Sequence, residues 1–209
     1  AENPFKGSRF RNSIIINTFI ETGVRIGAVA KIKISDVKGN SDTPRILVTR
    51  TPDDKSDPRR IRPSQKTKAH STAISVGLMK RLESYIVTKR KDFNASESHD
   101  FLFVSEKGVS EGQPLSLNAF ASIIKKLSNT LNFNFSPHTF RFKWNEIFDS
   151  RAIEAGYTPQ QLEDIRKYAM GWTENSKMGL LYNEFRNAVK VHELSAERSS
   201  GFMPEAEED

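Results

Sequence analysis

Three places in this chain carry the residues that helix starts require, and they commit its second half to helices before any apolar pattern is counted. Ser116 stands ahead of an apolar-periodic segment that ends near Leu131, as an N-cap whose hydroxyl can accept from an otherwise unpaired backbone N–H. Ser136 is followed by Pro137, a cap with proline at the first helical position, where the missing N–H costs nothing. Thr158-Pro159-Gln160-Gln161 is a capping box, with Tyr157 and Leu162 placed as its hydrophobic staple. A last helix is predicted from about Glu174 past Tyr182 toward Glu193.

The first half is mixed. Residues 1–7, with Pro4 and Gly7, read as the end of a linker. From Ser8 to Thr22, Phe10, Ile14, Phe19 and Ile20, with Ile15 and Ile16, recur at helical spacing, and Gly23 is the stop. A short helix follows from Val24 to about Ile32. The segments 45–50, 59–63 and 72–76 read as short strands separated by turn-rich stretches. Leu78, Leu82, Tyr85 and Ile86 form one amphipathic face, and Phe101-Leu102-Phe103-Val104 is a short buried run. The expected class is α+β, mostly α-helical with a small antiparallel β-sheet. The chain has 209 residues, enough for one sizeable core, which is assigned to residues 8–197. The acidic end, 198–209, is expected to be disordered.

Charge narrows the partner. Lys plus Arg number 32 against 26 acids, a net charge of +6 and a pI near 9.5. Four of the acids lie in Met203–Asp209, and with them set aside +6 becomes +10. Positive charge is densest from Arg45 to Lys68, where Arg45, Arg50, Lys55, Arg59, Arg60, Arg62, Lys66 and Lys68 face three aspartates. A solvated basic surface is the plain reading; a polyanion, nucleic acid first, is the functional one. There is no cysteine, which excludes disulfides and thiolate nucleophiles. No apolar stretch is long enough to span a bilayer. No phosphate-cradling Gly-rich loop or GxSxG motif is present, and His70, His99, His138 and His192 lack the helical pairing of a metal site. The first residue, Ala1, is not methionine, so the chain is expected to be a piece of a longer protein or a processed product.

Against that background four short motifs occur in order. Thr22-Gly23-Val24-Arg25-Ile26-Gly27, with Ile34-Ser35-Asp36-Val37 after it, comes first. His138-Thr139-Phe140-Arg141, Gly171-Trp172 and Tyr182 follow. Each alone is weak; their order and separations are what carry the signal. The series resembles the active site of the tyrosine recombinases, the phage integrase family, over roughly Asn3 to Glu193. The resemblance implies Arg25, His138, Arg141 and Trp172 as catalytic residues and Tyr182 as the nucleophile. It also implies a lysine on a sheet turn as the general acid: Lys66, with Lys68 as the alternative. The fold it implies is the family's catalytic domain, with the basic face on double-stranded DNA and Arg59, Arg60 and Arg62 on the backbone.

The activity implied is site-specific recombination or integration of DNA through a 3′-phosphotyrosyl intermediate, with neither metal, nucleotide nor other cofactor. Alternatives on the same fold are type IB topoisomerase-like relaxation and a catalytically inactive DNA-binding regulatory module. Implied partners are an N-terminal core-binding domain that completes a clamp on DNA, and three further copies in a homo-tetramer on paired sites. The implied setting is the bacterial cytoplasm, at the nucleoid, with no membrane partner. The sequence also departs from the family pattern. Ala28 stands where an acidic residue usually follows the first arginine, and Phe142 where a histidine commonly follows the second. The stretches either side of Gly156 each look longer by about four residues, roughly one helical turn, which preserves facing.

The chemistry calls for these residue types whatever the family. A phosphodiester transition state spreads negative charge over its non-bridging oxygens, and guanidinium offers a fixed fork of donors to them. Arg25 and Arg141 suit that role; a structural ion pair is the other use of Arg25. A tyrosine that attacks phosphorus keeps the bond energy in a covalent link, though its ordinary pKa of about 10 demands activation. Of four tyrosines, Tyr85 fits an apolar helix face, Tyr157 fits the staple, and Tyr168 follows Ile165 at packing distance. Tyr182 alone falls after Gly-Trp; otherwise it is an ordinary tyrosine of an amphipathic helix. His138, three residues before Arg141 and on the same helix face, can move the phenolic proton or bind a phosphate oxygen, unless it is structural. Trp172 can donate its indole N–H to phosphate, pack in the core, or do both.

Overall fold

The computed structural model describes residues 3–40, 42–65 and 67–180, together with 183, 184, 187, 191 and 195. Lys66, Tyr182 and the acidic end 198–209 lie outside the described residues.

Helix α1 (Arg9–Thr22) is the centre of the molecule. Ile14, Ile15, Ile16 and Phe19 are buried, and so are Arg11, Asn12, Thr18 and Thr22, so the helix is covered on most sides. The buried hydroxyls are satisfied locally: Thr18 donates to the Ile14 carbonyl at 2.9 Å and Thr22 to the Thr18 carbonyl at 2.5 Å. Ile20, expected on the apolar face, is instead 52% exposed. Gly23 ends the helix in the left-handed region at φ 59°, as expected. Arg25 then caps α2 (Ile26–Lys31).

Three strands form one antiparallel sheet in the order β1 (Val37–Lys38), β2 (Arg45–Val48), β3 (His70–Ala73). Val37 pairs with Ile46, and Ile46 with Thr72. The segment 59–63 is not a strand; the third strand is β1. The reason is local: Pro58 and Pro63 donate no hydrogen bonds, and the Arg59 N–H is turned into Asp57 Oδ1 at 3.0 Å.

Helix α3 (Val76–Val87) starts at Ser75, whose hydroxyl accepts from Leu78 N–H. The Ser75 N–H and hydroxyl both donate to the Glu21 carboxylate, at 2.6 and 2.9 Å, joining this start to the end of α1. The buried run 101–104 passes beneath, with Leu102 N–H donating to the Ile32 carbonyl and Leu115 N–H to that of Phe103, both at 2.9 Å. Tyr85, Phe103 and Phe120 close the core in aromatic contact. The three predicted helix starts are all present: α4 (Leu117–Thr130), α5 (Pro137–Glu154) and α6 (Pro159–Met170). Helix α5 packs on α1, and α6 packs on α5 and β3. No described helix is long and apolar enough to cross a membrane.

Candidate active site

The end of α1 and the start of α5 meet through two hydrogen bonds to backbone carbonyls. Arg141, one turn into α5, donates from Nη1 to the Gly23 carbonyl at 2.8 Å. Trp144, three residues on, donates from Nε1 to the Glu21 carbonyl at 2.8 Å. Its ring lies so close under Gly23 that a Cβ there would sit 2.8 Å from the Trp144 Cβ and Cγ. Glycine at 23 therefore answers both the turn and the tryptophan beneath it. Trp144 escaped the sequence reading, although its three-residue offset from Arg141 places it on the same helix face.

Arg141 is 2% exposed. A buried guanidinium is tolerated only when it is compensated, and here the ends of α1 and α6 and the ring of Trp172 contribute. Besides Gly23, the Met170 carbonyl at the end of α6 accepts from Nη2 at 3.5 Å, and the guanidinium carbon lies 5.7 Å from the centre of the Trp172 ring. Trp172 is itself buried and packs with Met170, Phe142, Trp144 and Met178. Phe142 thus fills an apolar contact where the family commonly has histidine. Trp172 is not among the residues lining the cleft described next; it sits behind Arg141.

A cleft of about 540 Å³ opens over Arg141. Arg25 and His138 also line it, so residues 113 positions apart in sequence share one cleft. Arg25 is half-buried and His138 exposed. None of the ion pairs among the described residues involves Arg25. Among the described residues the lining contains no carboxylate: Ala28 stands where the acidic companion was missed in the sequence, and it lines the cleft. Two guanidinium groups on one cleft concentrate positive charge there, which suits an anion.

Ser64, Gln65 and Thr67 supply a further wall. It approaches α2 so closely that a Cβ on Gly27 would lie 2.3 Å from the Ser64 carbonyl oxygen. Its far end is pinned where Lys68 N–H donates to the Gly171 carbonyl at 2.8 Å. Lys68 is exposed and is not among the cleft-lining residues. Lys66 falls in sequence between two lining residues. Beside this turn His70 donates from Nδ1 to the Lys68 carbonyl, 3.0 Å away. Burial holds its imidazole below the ordinary histidine range; the Lys68 bond opposes this and the Arg141 charge adds to it.

The basic segment is less free than its composition suggests. Arg59 grips Asp57 with two guanidinium bonds of 2.8 and 2.7 Å, donates to the carbonyls of Ala30 and Leu115, and lies over the Phe101 ring. Asp57 is 1% exposed, so this arginine is used in holding the loop to the core. Lys33 pairs with Asp54 at 3.0 Å. Arg60 and Arg62 remain exposed, Arg62 with one bond to the Asp57 carbonyl.

The tyrosines also sort differently in part. Tyr85 is in the core as expected, its hydroxyl accepting from Val104 N–H, and burial pushes its pKa up to about 12. Tyr157 and Tyr168, to which the sequence assigned packing roles, are 47% and 68% exposed. None of these three lines the cleft. Met178, in the segment leading to Tyr182, does.

The model of the phage integrase family matches residues 2–184. The solved structure of XerA recombinase is 20% identical, with a TM-score of 0.58 over 88% of this chain and 58% of that one. That of XerH site-specific recombinase bound to palindromic difH substrate, a post-cleavage complex, is 16% identical, with a TM-score of 0.65 over 92% of this chain and 47% of that one. This chain therefore spans about half the length of the solved recombinases it matches, and the likeness is one of fold. A comparison with curated protein sequences finds no match. With the family model matching residues 2–184, the chain belongs to the phage integrase family.

Proposed function

We propose that the protein is the catalytic part of a tyrosine-type site-specific DNA recombinase or integrase. The observation that carries this reading is the cleft that brings Arg25, His138 and Arg141 together from α5 and the turn before α2. In the proposed reaction the Tyr182 phenolic oxygen attacks the scissile phosphorus and its proton passes to His138. The bond from phosphorus to the 5′-oxygen breaks, and that oxygen takes a proton from Lys66. Arg25 and Arg141 hold the non-bridging oxygens while the extra charge develops. The product is a 3′-phosphotyrosyl link and a free 5′-hydroxyl. The 5′-hydroxyl of a partner strand reverses the step, and because the link conserves the bond energy no nucleotide cofactor is consumed. Lys66 is preferred to Lys68 because Gln65 and Thr67 both line the cleft whereas Lys68 does not.

Trp172 acts through Arg141, which it backs, and through Met178. Exposed Arg60 and Arg62 contact backbone phosphate, while Arg59 holds the loop that presents them. The full-length protein adds the N-terminal core-binding domain and assembles as a tetramer on paired duplex sites, in the bacterial cytoplasm. For the isolated chain, DNA affinity is weak and falls steeply with salt.

The test is a nicked duplex with a randomised half-site, from which covalent protein–DNA adducts are recovered under denaturing conditions. Adducts with the wild-type chain and none with Tyr182→Phe support the reading. An adduct that persists in Tyr182→Phe removes Tyr182 as nucleophile. Relaxation of supercoiled plasmid without sequence preference in the adducts favours the topoisomerase reading. Clear binding with no adduct on any duplex favours the regulatory module.

A further inference from the structure

Helix α6 buries Leu162, Arg166 and Met170, spaced by four residues on one face. An arginine in the middle of that stripe is a chemical anomaly, because a leucine there would complete the packing without desolvating a charge. Arg166 is nevertheless 1% exposed, one of the largest fully buried side chains among the described residues. Asp149 on α5, 2% exposed, compensates it with two bonds: Nε to Oδ1 at 3.0 Å and Nη2 to Oδ2 at 2.7 Å. That pair uses one edge of the guanidinium. The other nitrogen, Nη1, points to the segment after Gly171-Trp172. It meets the Asn183 side-chain oxygen at 3.1 Å, the Gly179 carbonyl at 3.5 Å and Glu163 at 3.3 Å. The segment is pressed tightly there: a Cβ on Gly179 would lie 2.2 Å from Glu163 Oε1.

We propose that Arg166, oriented by Asp149, is a positioning residue for the nucleophile-bearing segment, which it clamps through Asn183 and Gly179. The proposal rests on the reading of Tyr182 as nucleophile, since Tyr182 is one peptide bond from Asn183. Beyond its pair with Asp149, what arginine adds over leucine at 166 is the set of bonds from Nη1, which go to α6 itself or to that segment. The same helix ends in Met170, whose carbonyl accepts from Arg141. One turn of α6 therefore links the clamp to the phosphate-binding arginine. A cleavage site needs its nucleophile and its oxyanion donors in fixed register, and misplacement by about 1 Å costs on the order of 100-fold.

The test uses Asn183→Ala, which removes an acceptor and leaves the buried ion pair intact, with Asn183→Asp as the variant that keeps an oxygen for Arg166. Two readouts are taken on the 209-residue chain: amide hydrogen exchange across 178–184 without DNA, and the single-turnover rate of adduct formation at saturating nicked duplex. For Asn183→Ala the expected result is faster exchange in 178–184 alone, unchanged DNA affinity, and an adduct rate lower by about 10- to 100-fold. Asn183→Asp restores both. Wild-type exchange in Asn183→Ala overturns the clamp. Faster exchange with a wild-type adduct rate shows a merely structural tether and overturns the positioning role. If Tyr182→Phe still forms adduct, the nucleophile reading fails, while the exchange data still report whether Arg166 holds the segment.

Discussion

Gly27→Ala tests the most demanding contact in the cleft. The added Cβ would lie 2.3 Å from the Ser64 carbonyl oxygen, and an ordinary contact begins near 3.4 Å. The wall of the cleft must therefore withdraw by about 1.1 Å, the difference between the two distances. The obstructing atom belongs to the backbone, so no side-chain rotation relieves it. Overpacking of this kind costs about 1–3 kcal/mol. Against it, alanine in place of glycine inside a short helix returns roughly 0.8–1 kcal/mol. The net destabilisation expected is on the order of 0–2 kcal/mol, read by urea denaturation with the slope unchanged. Function should suffer more than stability. The displaced wall carries Gln65 and Thr67 on either side of Lys66, and a displacement of about 1 Å at a reacting group costs on the order of 100-fold in rate. Single-turnover adduct formation on a nicked duplex measures that loss. A Gly27→Ala chain that cleaves at the wild-type rate would refute both the tight approach of the wall and the place given to the lysine turn.

Arg141→Lys should lower the adduct rate by about 100- to 1000-fold, because one ammonium cannot serve the Gly23 carbonyl and a phosphate in fork geometry; near-wild-type cleavage would show that the guanidinium is structural only. Arg166→Met leaves Asp149 buried without its arginine and should cost about 3–5 kcal/mol in urea denaturation, whereas Arg166→Met with Asp149→Leu should recover most of it. Equal losses in the single and double variants would contradict the burial of the pair. Burial depresses the pKa of both His70 and His99, so the unfolded chain takes up protons before the folded one does. Their contribution is complete above the unfolded value of about 6.5 and is lost as pH falls below it toward the depressed folded values. Denaturation between about pH 7 and pH 5 should show stability falling with acid, and His70→Gln should flatten that slope; an unchanged slope would mean that His99 carries it alone.

Much of the helical framework was legible because helix starts are written locally. Ser116, Ser136-Pro137 and Thr158-Pro159-Gln160-Gln161 each place their signal within four residues of the bonds they make, and α4, α5 and α6 begin where those signals stand. The segment 59–63 misled because β-propensity is a weak guide where Asp57 and two prolines divert the backbone. Tyr157, just before α6, and Tyr168 within it had plausible packing partners nearby in sequence, yet burial depends on what the rest of the chain brings to them, and both stay largely exposed.

The sequence by itself determined the residue types available for phosphoryl transfer and their order: two arginines, one histidine beside the second, and a tyrosine after Gly-Trp. Only the tertiary structure decided which of them meet. Arg25 and Arg141 share a cleft because Gly23 turns the chain over Trp144 and offers its carbonyl to Arg141. Arg59 is drawn inward by Asp57, and the buried Arg166 is aimed at Asn183 by a pair with Asp149. Side-chain charge is a property of the residue, but the direction of a guanidinium is set by acceptors that lie far away in the chain. For Arg141 the acceptor is 118 residues distant, a separation across which no local pattern carries information.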